Sequence, residues 1–460
     1  MLVFDLDKPA ATTDNKEEKR PKGPVIKLFF WFFTFVETFD IGTFHITVGK
    51  LGSRSYSKVS YPLRYGRLGE LKTPKHLFEF NLNGELKFIT GRGKEWPNPS
   101  EWLKRTVTGN WVYYSTGGYD GPYDCLGEYY LPCFSYPSNN INACDPFEDH
   151  AVASAIEAWG SVHEELTKLD PKLLPENIAK FLSRLIANPP GQLRSKAARI
   201  REIIGDSVTV LPPDTRHVDY DIVPLIIADG CLYKCAFCKV KSRLRFKDRT
   251  KENIKTQIEG LRDFFGKDIS NYNSVFLGQH DAMNSDPELI EYSAKLAFEA
   301  FDFKNSNLKD PSLFIFGSVA SILKAGPETF DRIGRLPFRT YINVGLESGE
   351  RDTLAKLGKG ITVEGVEAAY DKIVAINKRY ERIEITSNFI YSPDLPPAHT
   401  ESIVKLIGKH FDHPYPKGTI YFSPLLDAGR NGWRKNIKRE FYKLKRKIPV
   451  PSFLYLIQRL

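Results

Sequence analysis

Three cysteines stand close together in the stretch DGCLYKCAFC, at Cys231, Cys235 and Cys238. Three thiolates on one loop can hold three irons of a cubane 4Fe-4S cluster and leave the fourth iron without a protein ligand. A structural zinc site is an alternative, and it would need a fourth ligand, for which His217 is the nearest candidate. A redox pair of Cys235 with Cys238 is a second alternative, although it leaves Cys231 without a role.

The elements around the cysteines predict an α/β fold. The segment IVPLIIA (222–228) directly precedes them, and a short continuous apolar run is typical of a strand buried on both faces of a parallel sheet. Similar runs begin at Ser274, Ser312, Thr340, Ile383 and Thr419. Helical patterns between them cover 251–265, 287–300, 363–377 and 399–411. Six strands alternating with helices predict a β/α sheet or barrel, in which ligands bind at the carboxyl ends of the strands.

The cysteine spacing, the aromatic Phe237 before the last cysteine and the position after the first strand resemble the radical S-adenosylmethionine (SAM) enzymes. The resemblance covers about 220–429 and implies a partial (β/α)6 barrel with a 4Fe-4S cluster and SAM as cofactors. In that superfamily SAM chelates the open iron, and an electron from the cluster cleaves SAM to a 5'-deoxyadenosyl radical that abstracts hydrogen from the substrate. A reductant such as ferredoxin or flavodoxin is implied as a partner, and Phe237 as a residue of the cofactor site.

Two further segments extend the resemblance. In VFLGQHDAM, Gly278 matches the family's glycine-rich turn, which receives the amino group of SAM. The following residues depart from the usual Gly-Glu pattern, so His280 and Asp281 are candidates for that contact or for a catalytic role facing the substrate. The segment VGLESGERDTLAKLGKGIT resembles the branch with coproporphyrinogen dehydrogenase-like and methylthiotransferase-like members, which implies that Glu347 faces SAM.

A fifth-strand segment completes the expected SAM site. The family's adenine-side GxIxG pattern corresponds here to NFIYS, with Asn388 and Ser392 in place of the glycines. The resemblance therefore implies a contact between SAM and the backbone of this segment, with the two glycines replaced.

The N-terminal half predicts a different architecture. A flexible tail is expected over 1–24, an aromatic-rich β domain over 25–145 and a helical connector over 146–215, ahead of the barrel domain at 216–429. The clearest local pattern is a hairpin that places Phe78, Phe80 and Leu82 on one face, turns at Asn83-Gly84 and returns through Leu86 and Phe88.

The remaining cysteines and the aromatic residues of the β domain carry two open interpretations. Trp111 to Tyr136 holds nine aromatic residues, which predict a β-domain core or, alternatively, a ligand wall. Cys125, Cys133 and Cys144 are expected to be buried structural residues, with an auxiliary cluster as the alternative.

Composition limits the class of protein. Six cysteines in 460 residues are too few for a disulfide scaffold, which favours a reducing cytoplasm. The apolar stretch LFFWFFTFV (28–36) is shorter than the roughly 20 residues of a membrane span and is expected to be a buried strand. The net charge of +9 is too modest to argue for nucleic acid.

Two basic segments remain. Alternate basic residues from Lys239 to Arg249 could draw an anionic substrate or an electron donor, or could form a solvated face. The segment 430–460 begins as a basic amphipathic helix, with Ile437, Phe441, Leu444 and Ile448 on one face. It could dock on the barrel, lie on an anionic membrane or bind RNA phosphates.

The sequence therefore predicts a radical SAM enzyme whose substrate is not specified. One alternative is modification of RNA or protein through the basic C-terminal segment. Another, of a different class, is a zinc-stabilised binding module without catalysis.

Overall fold

The computed structural model describes most of the chain from Val36 onward. The described residues are 36–56, 63–116, 131–134, 145–208, 210–233, 235, 238, 244–392, 395–411, 413–424, 440–455 and 460. The predicted tail at 1–24 and all but the last residue of the apolar stretch 28–36 lie outside these ranges, as do Cys125 and Cys144. Val36–Leu460 forms one compact unit.

An eight-stranded antiparallel sheet occupies the N-terminal part, with its strands in chain order. Its strands are β1 (Glu37–Ile41), β2 (Phe44–Leu51), β3 (Arg67–Lys72), β4 (His76–Phe80), β5 (Leu86–Gly91), β6 (Trp102–Arg105), β7 (Trp111–Ser115) and β8 (Leu131–Phe134). The predicted hairpin is β4 and β5, which pair Phe80 with Leu86 and Glu79 with Phe88. Because the register shifts between these pairs, Phe88 lies on the face opposite Leu86 and packs in a separate small cluster with Trp102.

Three helices follow this sheet in the chain, and the first two pack on its inner face: α1 (His150–Leu166), α2 (Glu176–Ile186) and α3 (Pro190–Ile204). Asp149 caps α1 by accepting from the backbone N–H of Ala151. The Phe80 ring lies 5.0 Å from the Trp159 ring of α1 and 6.0 Å from the Phe181 ring of α2, measured between centroids. Aromatic packing therefore joins α1 and α2 to the sheet.

A seven-stranded parallel sheet forms the second half, in the order β17-β16-β15-β14-β13-β12-β9. Its strands are β9 (Val223–Leu225), β12 (Ser274–Leu277), β13 (Ser312–Ser318), β14 (Arg339–Glu347), β15 (Ile383–Tyr391), β16 (Ile420–Pro424) and β17 (Ser452–Leu454). The intervening helices are α4 (Lys251–Phe265), α5 (Pro287–Ala300), α6 (Val319–Lys324), α7 (Pro327–Gly334), α8 (Arg351–Leu357), α9 (Val363–Arg379) and α10 (Pro397–Gly408). A two-stranded ribbon, β10 (Ala228–Asp229) with β11 (Lys247–Asp248), follows β9.

The prediction of an α/β fold with an N-terminal β-rich region is confirmed. All six predicted strands are present, and β17 adds a seventh beside β16. Thr250 caps α4 and Thr362 caps α9, each accepting from a backbone N–H three residues later.

The antiparallel sheet lies at the amino edge of the parallel sheet. Asn271, just before β12, exchanges two hydrogen bonds of 2.8 Å with the backbone of Arg67. Lys87 Nζ lies 2.9 Å from Asp221 Oδ2, and Lys104 Nζ lies 2.9 Å from Asp219 Oδ2, just before β9. The described part of the antiparallel sheet is thus at the edge opposite the cysteines.

The C-terminal segment packs on the parallel sheet. Residues 440–445 are helical, and Phe441, Leu444 and Ile448 are buried in the main core. The Phe441 ring lies 5.8 Å from the Phe422 ring of β16. Docking on the barrel is therefore the arrangement of residues 440–455, while 430–439, including Ile437, lie outside the described ranges.

In the part of the chain that the structure describes, none of the helices is long and apolar enough to cross a membrane.

Candidate active site

The cysteine loop is closed at its base. Asp229 of β10 faces Lys247 of β11, and Gly230 has φ +77°. A Cβ at Gly230 would lie 2.3 Å from the carbonyl oxygen of Arg245, so the close approach of the two chain segments requires glycine. Arg249 donates from Nη2 to Asp229 Oδ1 at 2.6 Å and from Nε to both carboxylate oxygens. The cysteine loop thus leaves the ribbon of β10 and β11 and returns to it at the same point.

Cys231, Cys235 and Cys238 lie on this loop as free thiols, with Cys235 buried and the other two half-buried. Burial raises the pKa of Cys231, and nearby Asp281 and Cys238 raise it further. Burial also raises the pKa of Cys235, against the opposing effect of the Lys359 ammonium. Cys231 and Cys235 are therefore held mainly in their protonated form until a metal displaces the protons. Phe237 and residues 239–243 of the basic run lie outside the described residues.

The loop after β12 brings Gly278, His280 and Asp281 to the carboxyl edge. Gly278 has φ +84° and donates its N–H to the carbonyl oxygen of Leu225, which ends β9. Burial lowers the pKa of His280 and favours its neutral form. Asp281 is 3% exposed, and its Oδ2 accepts from Ser318 Oγ at 2.6 Å.

The second oxygen of Asp281, Oδ1, is buried and has no hydrogen-bond partner among the described residues. Burial raises the pKa of this carboxyl group, and the hydroxyl of Ser318 lowers it only in part. A buried carboxyl oxygen without a partner is costly, and it marks a position where a ligand can supply the missing hydrogen bond.

Glu347 and Lys359 form a buried ion pair at the end of β14. Lys359 Nζ lies 2.5 Å from Glu347 Oε1 and donates to the carbonyl oxygen of Gly345 at 2.7 Å. A Cβ at Gly345 would lie 2.4 Å from Glu347 Oε1, so a glycine is needed beneath the pair. Lys359 Nζ also lies 5.7 Å from the centroid of the Tyr233 ring in the cysteine loop.

Asn388 and Ser392 lie on and just after β15, at the same edge of the sheet. Asn388 Oδ1 accepts from Ser423 Oγ of β16 at 2.9 Å, which orients its amide. Ser392 is half-buried. The structure therefore places all of the described candidate residues at the carboxyl edge, and it brings Asp281 and Glu347 within electrostatic reach of the cysteines.

Sequence reasoning missed two groups at this edge. Lys359 stands in the segment LGKGIT, directly after the left-handed residue Gly358 that ends α8. A lysine between two glycines at the end of a helix is only a weak sequence signal of a site residue, and its partner Glu347 becomes apparent only in the fold. The other group is Ser348 with His399, which are 51 residues apart in sequence and 2.8 Å apart in space.

The residues present fit a 4Fe-4S cluster. Within the described ranges, no three His, Cys, Asp or Glu side chains are grouped as ligands of one metal ion would be. The three free thiols lie on one loop and within electrostatic reach of one another, and a cluster takes one thiolate at each of three irons. A cation at Lys359 and a partnerless oxygen at Asp281 face the same region, so the site also offers polar groups to a ligand beside the cluster.

Comparison with known proteins gives a match to part of the parallel-sheet region. Residues 225–407 match the family model of the radical SAM superfamily. No curated protein matches the chain.

Several solved structures are similar to parts of the chain, with low sequence identity and low TM-scores. A radical SAM methyltransferase from Sphaerobacter thermophilus is 14% identical over 51% of this chain and 66% of its own, with a TM-score of 0.34. The [FeFe]-hydrogenase maturase HydG is 15% identical over 64% of this chain and 71% of its own, with a TM-score of 0.33. The methyltransferase TsrM from Kitasatospora setae, solved with cobalamin and a [4Fe-4S] cluster, is 16% identical with a TM-score of 0.29. The match covers 44% of this chain and 34% of TsrM, about a third of that protein.

Proposed function

Residues 225–407 form a radical SAM domain, and from this premise we propose that the chain cleaves SAM reductively and abstracts a hydrogen atom from an organic substrate. The domain identifies the chain as an enzyme that uses a 4Fe-4S cluster and SAM. Enzymes of this superfamily also need an external reductant and a substrate.

The observation that carries the proposal is the convergence of the cysteine loop with buried charges at the carboxyl edge of the parallel sheet. When bound, the cluster and SAM supply an electron and a 5'-deoxyadenosyl radical, which no side chain can generate. Cys231, Cys235 and Cys238 are the proposed cluster ligands. The closed base of the loop holds them at the end of β9.

The polar residues of the edge have separate proposed roles. The Glu347 carboxylate and the Lys359 ammonium lie side by side, and such a pair suits a zwitterionic ligand such as SAM. The free oxygen of Asp281 would accept a hydrogen bond from the amino group or the ribose of SAM, or from the substrate. Gly278 is a proposed contact of the SAM amino group, and glycine is needed there because φ is positive and a Cβ would lie 2.7 Å from the Ala282 side chain. Phe237, Asn388 and Ser392 remain proposed SAM contacts, and His280 a proposed catalytic residue.

Anaerobic reconstitution tests the proposal. We expect about four irons per chain, and SAM with dithionite should give 5'-deoxyadenosine. Cys235→Ala should abolish product formation and lower the iron content. Cys133→Ala is the matched control, because Cys133 is also a buried cysteine but lies on β8 of the antiparallel sheet.

Two results would contradict the proposal. Zinc in place of iron would favour the zinc-stabilised binding module. A full cluster that never cleaves SAM would show that the loop holds iron for another purpose.

A further inference from the structure

The main chain at Glu347 adopts a conformation that is rare for a residue with a side chain. Its φ is +65°, and the N–H of Ser348 donates to the carbonyl oxygen of Leu346 at 2.8 Å. A hydrogen bond from the N–H of one residue to the carbonyl oxygen two residues earlier, with positive φ at the residue between them, defines a γ-turn of the strained type. The register of β14 with β15 shifts at the same place. Such strain persists only where the surrounding structure holds it.

A chain of buried hydrogen bonds holds this turn. Ser348 Oγ accepts from the backbone N–H of Glu350 at 3.0 Å and lies 2.8 Å from His399 Nδ1. His399 Nε2 lies 2.8 Å from the carbonyl oxygen of Ile390. A carbonyl oxygen can only accept, so Nε2 carries the hydrogen, and Nδ1 of the neutral ring accepts from the Ser348 hydroxyl. Burial lowers the pKa of His399 and so favours this neutral ring.

The chain of bonds connects two walls of the proposed SAM site. His399 belongs to α10, Ile390 to β15, and Ser348 directly follows β14. Glu347 stands at one end of the chain, and the segment 388–392 contains the other end. Ser348 is fully buried and His399 is 2% exposed. The two walls are therefore fixed relative to each other by groups that solvent does not reach.

We propose that His399, acting through Ser348, is a positioning residue that holds the strained turn at Glu347 and thereby aims the Glu347 carboxylate at SAM. The inference rests on the proposed function. Without the hydrogen bond between Ser348 and His399, the turn relaxes to negative φ at Glu347, and the Glu347 carboxylate leaves its place beside Lys359. The cysteines are on another loop, so iron binding is independent of the hydrogen bond between Ser348 and His399.

The test separates the two ring nitrogens of His399. The amide of Asn reaches the position of Nδ1 and can accept from Ser348, whereas the amide of Gln reaches the position of Nε2 and can donate to Ile390. Each variant is reconstituted anaerobically, its iron is assayed, and the Kd for SAM is measured by calorimetry. We expect His399→Gln and Ser348→Ala to bind SAM about tenfold more weakly, the effect of roughly one lost hydrogen bond. His399→Asn should stay within about threefold of the natural protein, and all variants should hold equal iron.

His163→Gln is the matched control. His163 is also a buried histidine with Nε2 2.9 Å from a backbone carbonyl oxygen, that of Ile186, but it lies on α1 beneath the antiparallel sheet. Glutamine keeps the bond to Ile186 but loses the ring contact with Trp159, so the replacement should lower the thermal unfolding temperature and leave the Kd for SAM unchanged.

The outcomes distinguish this inference from the proposed function. If the natural protein holds its cluster and does not bind SAM, the proposed function fails, and the positioning role fails with it. If the natural protein binds SAM and Ser348→Ala and His399→Gln bind it equally well, only the positioning role is overturned. It is also overturned if His399→Asn binds SAM as weakly as His399→Gln. The same holds if His163→Gln, at a similar drop in unfolding temperature, loses as much affinity for SAM, because the loss would then reflect stability alone.

Discussion

Lys359 and Glu347 form a buried ion pair beside the cysteine loop. Both side chains are less than a tenth exposed. Burial opposes the charged form of Lys359, but the Glu347 carboxylate outweighs this effect and raises the pKa of the ammonium group. Each charge is thus tolerated in the interior because the other is present. The pair keeps a formal charge of zero at the edge where SAM is proposed to bind.

Removing one partner of this pair should be costlier than removing both. Lys359→Met leaves the Glu347 carboxylate buried without a cation, and we expect a loss of about 3–5 kcal/mol in the free energy of unfolding. The double variant Glu347→Gln/Lys359→Met should lose less, because no unpaired charge is left. Urea unfolding of the cluster-free chain at pH 7 measures both. A double variant at least as unstable as the single one would show that the charges do not depend on each other.

At the scale of elements, the ribbon of β10 and β11 determines whether the cysteine loop can close. Gly230 has positive φ and lies against the backbone of residues 244 and 245. Gly230→Ala therefore places a Cβ where the returning chain stands, and the ribbon must open. We expect the reconstituted variant to retain less than about half of the iron of the natural protein, since a displaced loop separates the proposed ligands.

Gly42→Ala is the control for this change. Gly42 also has positive φ, +57°, but a Cβ there would meet nothing within 4 Å. It carries the same kind of backbone strain without the collision. Equal iron retention by the two variants would contradict the proposed importance of the loop base.

A second element-scale feature is the short turn between α4 and β12, which holds Asp268. Asp268 Oδ1 accepts from the backbone N–H of Leu82 at 3.2 Å and from Asn271 Nδ2 at 2.8 Å. Burial raises the pKa of Asp268 to about 6, although the nearby Lys87 ammonium works in the opposite direction. This carboxyl group thus joins the β4–β5 turn to the parallel sheet.

The raised pKa of Asp268 predicts a pH dependence of stability. The unfolded pKa of Asp is about 3.9, so the folded chain binds this proton more tightly, and stability falls as pH rises from about 4 to about 6. Asp268→Asn keeps the acceptor oxygen and removes the charge. Its stability relative to the natural protein should be unchanged near pH 4 and should rise above pH 6 by up to about 3 kcal/mol.

Urea unfolding between pH 4 and pH 7.5 measures this difference. Asp263→Asn, on the exposed face of α4, should leave the pH profile unaltered. A difference between Asp268→Asn and the natural protein that does not vary with pH would contradict the raised pKa.

At the scale of the whole molecule, the two sheets share one hydrophobic core and a buried ion network. Lys104 Nζ lies within 3.1 Å of carboxylate oxygens of both Asp219 and Asp221, and Lys87 also contacts Asp221. All four side chains are less than a tenth exposed. The lysines belong to the antiparallel sheet and the aspartates to the segment before β9. The two sheets should therefore unfold together.

Lys104→Met tests this coupling. It removes one of the two lysines that contact this pair of aspartates, and we expect a loss of about 3–5 kcal/mol in the free energy of unfolding. In the natural protein, urea transitions followed by tryptophan fluorescence, which reports largely on the antiparallel sheet and its helices, and by far-UV circular dichroism should coincide. The control is Lys180→Met, whose pair with Glu176 is exposed and screened by solvent, so its loss should change the free energy of unfolding little. Separate transitions in the natural protein would show that the sheets are independent units.

The placement of the antiparallel sheet also changes where substrate contacts are expected. Its described residues pack against the amino edge of the parallel sheet, through Asn271 and Asp221, whereas the cysteines stand at the carboxyl edge. Substrate-binding residues are therefore expected among the loops that follow β12 to β16, near Asp281 and Asn388.

Much of the fold follows from local sequence. The buried strands could be predicted from continuous apolar runs in the sequence. The helices α4 and α5 have the predicted bounds 251–265 and 287–300, because apolar spacing and capping residues are local signals. The three cysteines could be found in the same way, since their spacing lies within one loop. The shifted register at Phe88 and the seventh strand β17 could not, because each depends on a partner strand.

The sequence by itself determined the α/β class, the cysteine motif and the identity of Gly278, Asp281 and Glu347 as candidates, because each rests on residues within a short window. Only the tertiary structure decided that Lys359 pairs with Glu347, that one oxygen of Asp281 has no partner among the described residues and that His399 contacts Ser348 beside the strained turn. The physical reason is that charge pairing, desolvation and backbone strain depend on which distant residues share the same few ångströms. Those distances exist only after the strands have assembled.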